Sequence, residues 1–205
     1  MAKIKLTKTE LKAQTDALKR FQRFLPMLQL KKQQLQGEIA QIVAKADAVT
    51  AKERSVRAEI DSWIGLIATD KKLVSNLVKV KSLKTGTANI AGVAIPTFES
   101  IVTEVREIDP WATPAWLDSA VDAMREIFSL QCERQVYDEQ RRLISEELQQ
   151  TSQRVNLFEK VKIPECKEAI RVIKIAIGDE QTAAVTRGKI AKSRTPNSED
   201  GEVTA

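Results

Sequence analysis

The residue types that most often do chemistry are scarce in this chain and poorly spaced for it. Histidine is absent from all 205 residues, which removes the commonest general acid–base and the commonest metal ligand together. Two cysteines remain, Cys132 and Cys166. On one predicted helix they lie about 50 Å apart, beyond disulfide reach, and without histidine they close no tetrahedral metal site. Free thiols suit a reducing compartment. Gly188-Lys189 is followed by Ile190 and has no glycine five positions earlier, so there is no phosphate-binding loop of the Walker type. The acidic pairs Glu146-Glu147 and Asp179-Glu180 fall on predicted helical surface and read as solvated charge. No nucleophile–base pair can be assembled, so the expectation is a chain with no catalytic residue, no cofactor and no metal.

Charge offers the other chemistry. Lys3, Lys5, Lys8 and Lys12 crowd one terminus, and Arg187, Lys189, Lys192 and Arg194 the other. If the two ends meet, these groups share one tip. An acidic protein partner, nucleic acid and simple solvation of a frayed end are the three readings. No aromatics are interleaved, and the net charge of +5 is low for a dedicated DNA binder.

What would bring the ends together is a seam. Leu28, Leu35, Ile42, Val49, Val56 and Trp63 recur every seven residues, and Leu18, Leu25, Lys32, Ile39, Ala46, Glu53, Ile60, Ile67 and Val74 form the alternate series. This 4-3 pattern is that of a helix packed along another helix. One helix over 6–77 would be roughly 110 Å long, so it needs an equally long partner. Thr7 or Thr9 can cap its start, with Glu10 three positions after Thr7 in capping-box spacing. Pro26 is expected to bend the helix without breaking it. Gln14, Lys32 and Glu53 are polar seam members that set register.

Near Asp70 the pattern dissolves. Val78–Phe98 holds short β-type segments with Gly86 and Gly92 between them, and predicts a hairpin of about 79–85 with about 92–98, with Pro96 on an edge. Ile101, Val105 and Ile108 suggest a short helical or irregular piece, and Asp109-Pro110 and Thr113-Pro114 are helix-start signals. The second seam then runs Leu130, Tyr137, Ile144, Thr151 and Phe158, with Leu148 and Val155 alternate. At Phe158 the phase jumps five residues to Ile163, beside Pro164, which calls for local unwinding or a kink. Ile163, Cys166, Ile170, Ile173 and Ile177 resume the seam, Val185 and Ile190 continue it weakly, and Ser193–Ala205 reads as a disordered tail.

The expected fold is mainly α: two long helices in an antiparallel coiled coil with a small central insert containing a β-hairpin. Its parts are an N-terminal helix over 1–78, an insert over 79–113 that forms a knob at the end away from the termini, a second helix over 114–192 and a tail over 193–205. A parallel dimer of first helices competes with this arrangement but leaves the second seam unpaired. Aromatic content of 4% with 30% charged residues suits long helices better than a thick core. Met1–Leu11 is basic with no apolar signal-peptide core, and no run of 18 apolar residues exists, so the expectation is a chain that is cytoplasmic or bound to another protein's membrane domain.

Residues 151–164 are more specific. Thr151, Arg154, Val155, Asn156, Glu159, Ile163 and Pro164 reproduce a T-x-x-R-V-N-x-x-E-x-x-x-I-P block that resembles the D subunit of V-type and archaeal A-type ATPases. Ala169–Lys174 is similar to that family too, as are Leu6-Thr7-Lys8 with Leu11, and Leu28 with Lys31 and Leu35. The chain departs from the pattern at Gln153, Leu157-Phe158 and Pro26. The resemblance implies a central rotor shaft of a rotary ATPase. Its terminal end would insert into the hexamer of catalytic and regulatory (A and B) subunits. Its other end would bind the small F subunit of the rotor and dock on the membrane-ring adaptor, the C or d subunit. It would touch the membrane only through the complex and bind no nucleic acid directly. Lys5, Lys8, Lys12, Arg154, Asn156 and Arg187 are the candidate partner contacts. The F-type shaft, a relative of this family, carries a larger α/β insert than about 35 residues allow. A freestanding coiled-coil scaffold or tether, or a nucleic-acid-binding helical protein, would be the alternatives.

Overall fold

The computed structural model describes residues 5–61, 65, 77–106, 114 and 116–194. In chain order these form helix α1 (Lys8–Asp61), strands β1 (Val78–Ile90) and β2 (Val93–Val105), helix α2 (Trp116–Leu157), a π-helical turn (Phe158–Lys162) and helix α3 (Ile163–Arg194). Lys3, Trp63, Ile67, Val74, Ile108, the starts at Asp109-Pro110 and Thr113, and 195–205 of the expected tail lie outside the described residues. Ser193 and Arg194, assigned to that tail from sequence, close α3 instead.

Helix α1 begins at the expected cap. The Thr7 hydroxyl accepts the Glu10 N–H at 3.3 Å, and the Thr7 carbonyl accepts that of Leu11 at 3.0 Å. The capping box is only half made, because the Glu10 carboxylate accepts from the Gln14 amide instead of reaching back. Pro26 sits inside α1 and the helix continues through it. Leu35, Ile42, Val49 and Glu53 are buried, and every other described member of the two α1 series is half-buried. On α2 and beyond, Ile144, Thr151, Val155, Cys166 and Ile173 are buried at the expected phase.

The chain divides into two compact units, one of 30–152 and one joining 1–29 to 153–205. Within the first, α1 and α2 run antiparallel: Lys31 meets Glu147 at 2.6 Å, while Glu53, further along α1, meets Gln131, earlier on α2. Leu35, Ile42 and Ile144 form the core there, together with Ile95 of the hairpin. A second cluster joins Leu77 and Val78 at the hairpin base to Leu117 and Val121 at the start of α2.

That packing corrects the expected knob. The hairpin lies back along the helices: its base sits at Leu117 and Val121, and Ile90, Val93 and Ile95 near its tip reach Leu35, Ile42 and Ile144. Thirteen strand residues span about 43 Å, and α2 advances about 40 Å between Leu117 and Ile144, so the lengths match. Gln140 on α2, almost fully buried, donates from Nε2 to the Pro96 carbonyl and ties strand to helix. The strands also run longer than expected, from Val78↔Val105 to Ile90↔Val93, with irregularities at Val80/Ser82 and Lys84/Thr85. Ile101 and Val105, expected in a helical or irregular piece, belong to β2. Their four-residue spacing is one helical turn but equally two strand periods, and the β-branched neighbours Val102 and Thr103 favour the strand. The tip turn has Ala91 at φ 51° and Gly92 at φ 86°, with Asn89 Oδ1 accepting the Gly92 N–H at 2.9 Å. Alanine resists that region, and its methyl packs against the Leu35 cluster in return.

In the second unit the Phe21 and Phe158 rings meet at 5.0 Å between centroids, tilted by 49°. Phe158 opens the π-turn, closed by Ile163 N–H donating to the Phe158 carbonyl. The five-residue phase jump thus has a physical form: a wider turn takes up one extra residue. It also relieves Pro164, whose ring would press on the carbonyl four residues back and which has no N–H to give. Downstream, Cys166, Ala169 and Ile173 are buried; Ala169 adds a seam position that spacing alone did not single out. Val185 and Ile190, expected to continue the seam, are exposed at 60% and 48%, as is every residue from Gly178 to Arg194. Deleting Lys160 restores ordinary helix but turns α3 by about 100°. It should lower the melting temperature sharply, because each apolar side chain lost from burial costs about 1.5–3 kcal/mol. Lys160→Ala, which keeps the residue count, should stay within about 0.5 kcal/mol of wild type.

Candidate functional site

The candidate contacts divide by height on the helices. Lys8 and Lys12 lie on the first turns of α1, Lys5 just before it, Arg154 and Asn156 near the end of α2, and Arg187 toward the end of α3. All six are exposed, and none makes a side-chain hydrogen bond or ion pair among the described residues. The Phe21–Phe158 contact sets the antiparallel register of this unit, so Lys8 is level with about residue 171. Arg187 therefore stands about 24 Å further along α3 than the start of α1. Lys5, Lys8 and Lys12 form one basic level, and Arg187 with Lys189, Lys192 and Arg194 another, on a stretch of α3 where no residue is buried.

Other charges are occupied. Arg142 is clamped by Glu139 and Glu146, and Arg171 by Glu168. The guanidinium in each clamp holds the Glu139 and Glu168 carboxyls below their ordinary range. Glu147, read from sequence as solvated, reaches across to Lys31 and belongs to the helix interface. Glu53 is the notable seam member: buried, it accepts from Arg57 at 2.8 Å and Gln131 at 3.0 Å. Those two hydrogen bonds, Arg57 first, lower its pKa against the opposing effect of burial. It joins α1 to α2 through a charge-assisted bond, as a register-setting seam residue should.

Burial raises the pKa of both Cys132 and Cys166, disfavouring the thiolate. Among the described residues, no three His, Cys, Asp or Glu side chains gather as metal ligands. A shallow groove of about 260 Å³ runs between the helices over Ile42, Val43, Thr50 and Tyr137. Its rim charges answer one another, with Arg134 and Arg141 each 4.0 Å or less from Asp138. No described helix is long and apolar enough to cross a membrane.

Sequence reasoning missed a second kind of surface. Phe24, Met27, Leu157 and Val161 are large, apolar and 39–61% exposed. The available signal was their position: they fall outside the seam phase, at heptad positions where ionic residues are usual.

Protonation of Glu53 provides a test of the interface. Its folded-state pKa is depressed, so its contribution is present above the ordinary glutamate pKa and lost as pH falls through the lower, folded value. Melting curves of wild type and Glu53→Gln should differ at pH 7 and converge in acid. A constant difference across that range would remove the carboxylate from the account.

The family model for the ATP synthase D subunit matches residues 10–193. The V-type ATP synthase D subunit of Borreliella burgdorferi is 45% identical over 193 residues, covering 94% of this chain and 95% of its own length. The V-type ATP synthase D subunits of Chlamydia felis and Chlamydia pneumoniae are each 32% identical, over 94% and 93% of this chain and 94% and 92% of their own. With α2, the hairpin and all but the outermost residues of α1 and α3 inside the matched region, this chain belongs to the ATP synthase D-subunit family.

Proposed function

We propose that this chain is the central-stalk rotor subunit of a V/A-type rotary ATPase, a non-catalytic shaft carrying torque between an ATP-hydrolysing or ATP-synthesising hexamer and an ion-translocating membrane ring. The supporting observation is the family match over residues 10–193, which takes in an antiparallel helix pair held by a heptad seam. A match of that extent does not favour a freestanding scaffold or a nucleic-acid-binding protein. Its partners in this reading are the A and B subunits of the hexamer, the small F subunit of the rotor and the membrane-ring adaptor, the C or d subunit. It works at the cytoplasmic face of the membrane and contacts lipid only through the complex.

The mechanism follows from differential contact. Each orientation of an asymmetric shaft favours one of the open or closed states of the surrounding interfaces, and nucleotide chemistry or ion flow moves that preference around. The two exposed basic levels, Lys5, Lys8 and Lys12 on one and Arg187 on the other, are suited to acidic surfaces inside the hexamer. Arg154 and Asn156 serve the same purpose lower on the pair.

Co-purification tests the reading. The tagged chain should recover a hexamer bearing Walker motifs, whereas a stable lone homodimer would support the scaffold. Replacing Lys5, Lys8, Lys12 and Arg187 together by Gln should weaken assembly about fourfold or more at physiological salt, since each exposed pair contributes about 0.2–1 kcal/mol. Unchanged assembly and rotation would sink the basic-level contacts.

A further inference from the structure

We propose that one flank of the helix pair in the unit joining 1–29 to 153–205 is a docking surface for an acidic protein segment carrying an apolar anchor. The surface consists of Phe24, Met27, Leu157 and Val161, with Arg20 and Arg154 beside them. The choice of complex in which to test it rests on the rotor reading; the surface itself is argued from this unit.

Phase places these residues together. On α1 the residues turned to the partner helix are Phe21, Leu25 and Leu28, all half-buried; on the other strand of the pair they are Val155 and Phe158. Phe24 stands immediately before Leu25, and Arg154 immediately before Val155. In an antiparallel pair these equivalent positions fall on the same flank. Arg20 and Met27 lie about one turn from Phe24 on that side of α1, Leu157 follows Arg154 one turn on along α2, and Val161 lies in the π-turn just beyond it. The Phe21–Phe158 stack sets their level, with Phe24 opposite about residue 155.

Three properties of the flank point to a partner. Phe24 is 49% exposed, Met27 61%, Leu157 44% and Val161 39%, in a chain with only five phenylalanines and few aromatics overall. Single exposed apolar residues mean little, but four on one flank at positions normally ionic leave unburied area of the kind that marks interfaces. The arginines beside them have no carboxylate partner among the described residues, unlike Arg142 and Arg171 in their clamps. Arginine next to an exposed aromatic or methionine is the composition of interface hot spots.

The chemistry of the occupant follows. Two unpaired guanidiniums require carboxylates, and a Phe–Met–Leu–Val surface requires an aliphatic or aromatic side chain. An anionic lipid surface would call for an apolar stripe along the full helix, but here it spans about two turns. A nucleic acid would call for a longer basic track. A short acidic segment of protein meets both conditions.

The test uses the full chain assembled with the purified soluble subunits of its ATPase. A photo-crosslinking phenylalanine analogue at position 24 should join one neighbouring protein at a segment with excess Asp and Glu. Phe24→Ser with Leu157→Ser should weaken assembly at least tenfold, and Arg20→Gln with Arg154→Gln should weaken it and flatten its salt dependence. The melting temperature of the isolated chain should stay unchanged in both pairs, because these side chains are exposed. A crosslink to a basic segment, or assembly with no crosslink and no loss of affinity, overturns the docking flank alone. A wild-type chain that does not assemble overturns the rotor reading and this one with it.

Discussion

An α-helix turns about 100° per residue, so a straight apolar stripe along two long helices exists only if both sequences keep phase. That constraint governs the described structure. Leu35, Ile42 and Val49 on α1 and Ile144, Thr151 and Val155 on α2 keep it with heptad spacing. Where a proline intrudes, the two helices answer differently. Around Pro26 the ladder absorbs the missing donor and α1 keeps its phase, whereas before Pro164 the helix widens into a π-turn and resumes with a new one. Glu53, buried within the seam, is tolerated because Arg57 and Gln131 satisfy its charge.

The seam is legible in the sequence because burial imposes a period, and a period can be counted. So is the discontinuity at Phe158–Ile163, since five residues where three or four belong admits few structural answers. The hairpin is legible as an element but not in its length or place. Ile101 and Val105 fit either period, and nothing local in Ile95 or Gln140 says that they meet. Docking of the hairpin joins residues far apart in sequence, and such pairings leave no repeat to read. Glu147 misleads for the same reason, its partner Lys31 being on the other helix.

The candidate contacts show the reverse limit. Charge and resemblance single out Lys5, Lys8, Lys12, Arg154, Asn156 and Arg187, and the structure adds their heights. A contact surface consists of what a chain leaves unsatisfied, which depends on where the rest of the chain goes. Exposure of Phe24 and Met27 becomes informative only once α1's partner-facing side is known.

The docked hairpin has one more consequence. Two packed helices by themselves have a cross-section that looks nearly the same after half a turn. With β1 and β2 laid against Leu35, Ile42 and Ile144, the unit of 30–152 loses that equivalence. It becomes a cam: its profile repeats only once per revolution, so anything encircling it could distinguish every angle from the opposite one. Such a body encodes angular position in its outline, without any residue having to change state.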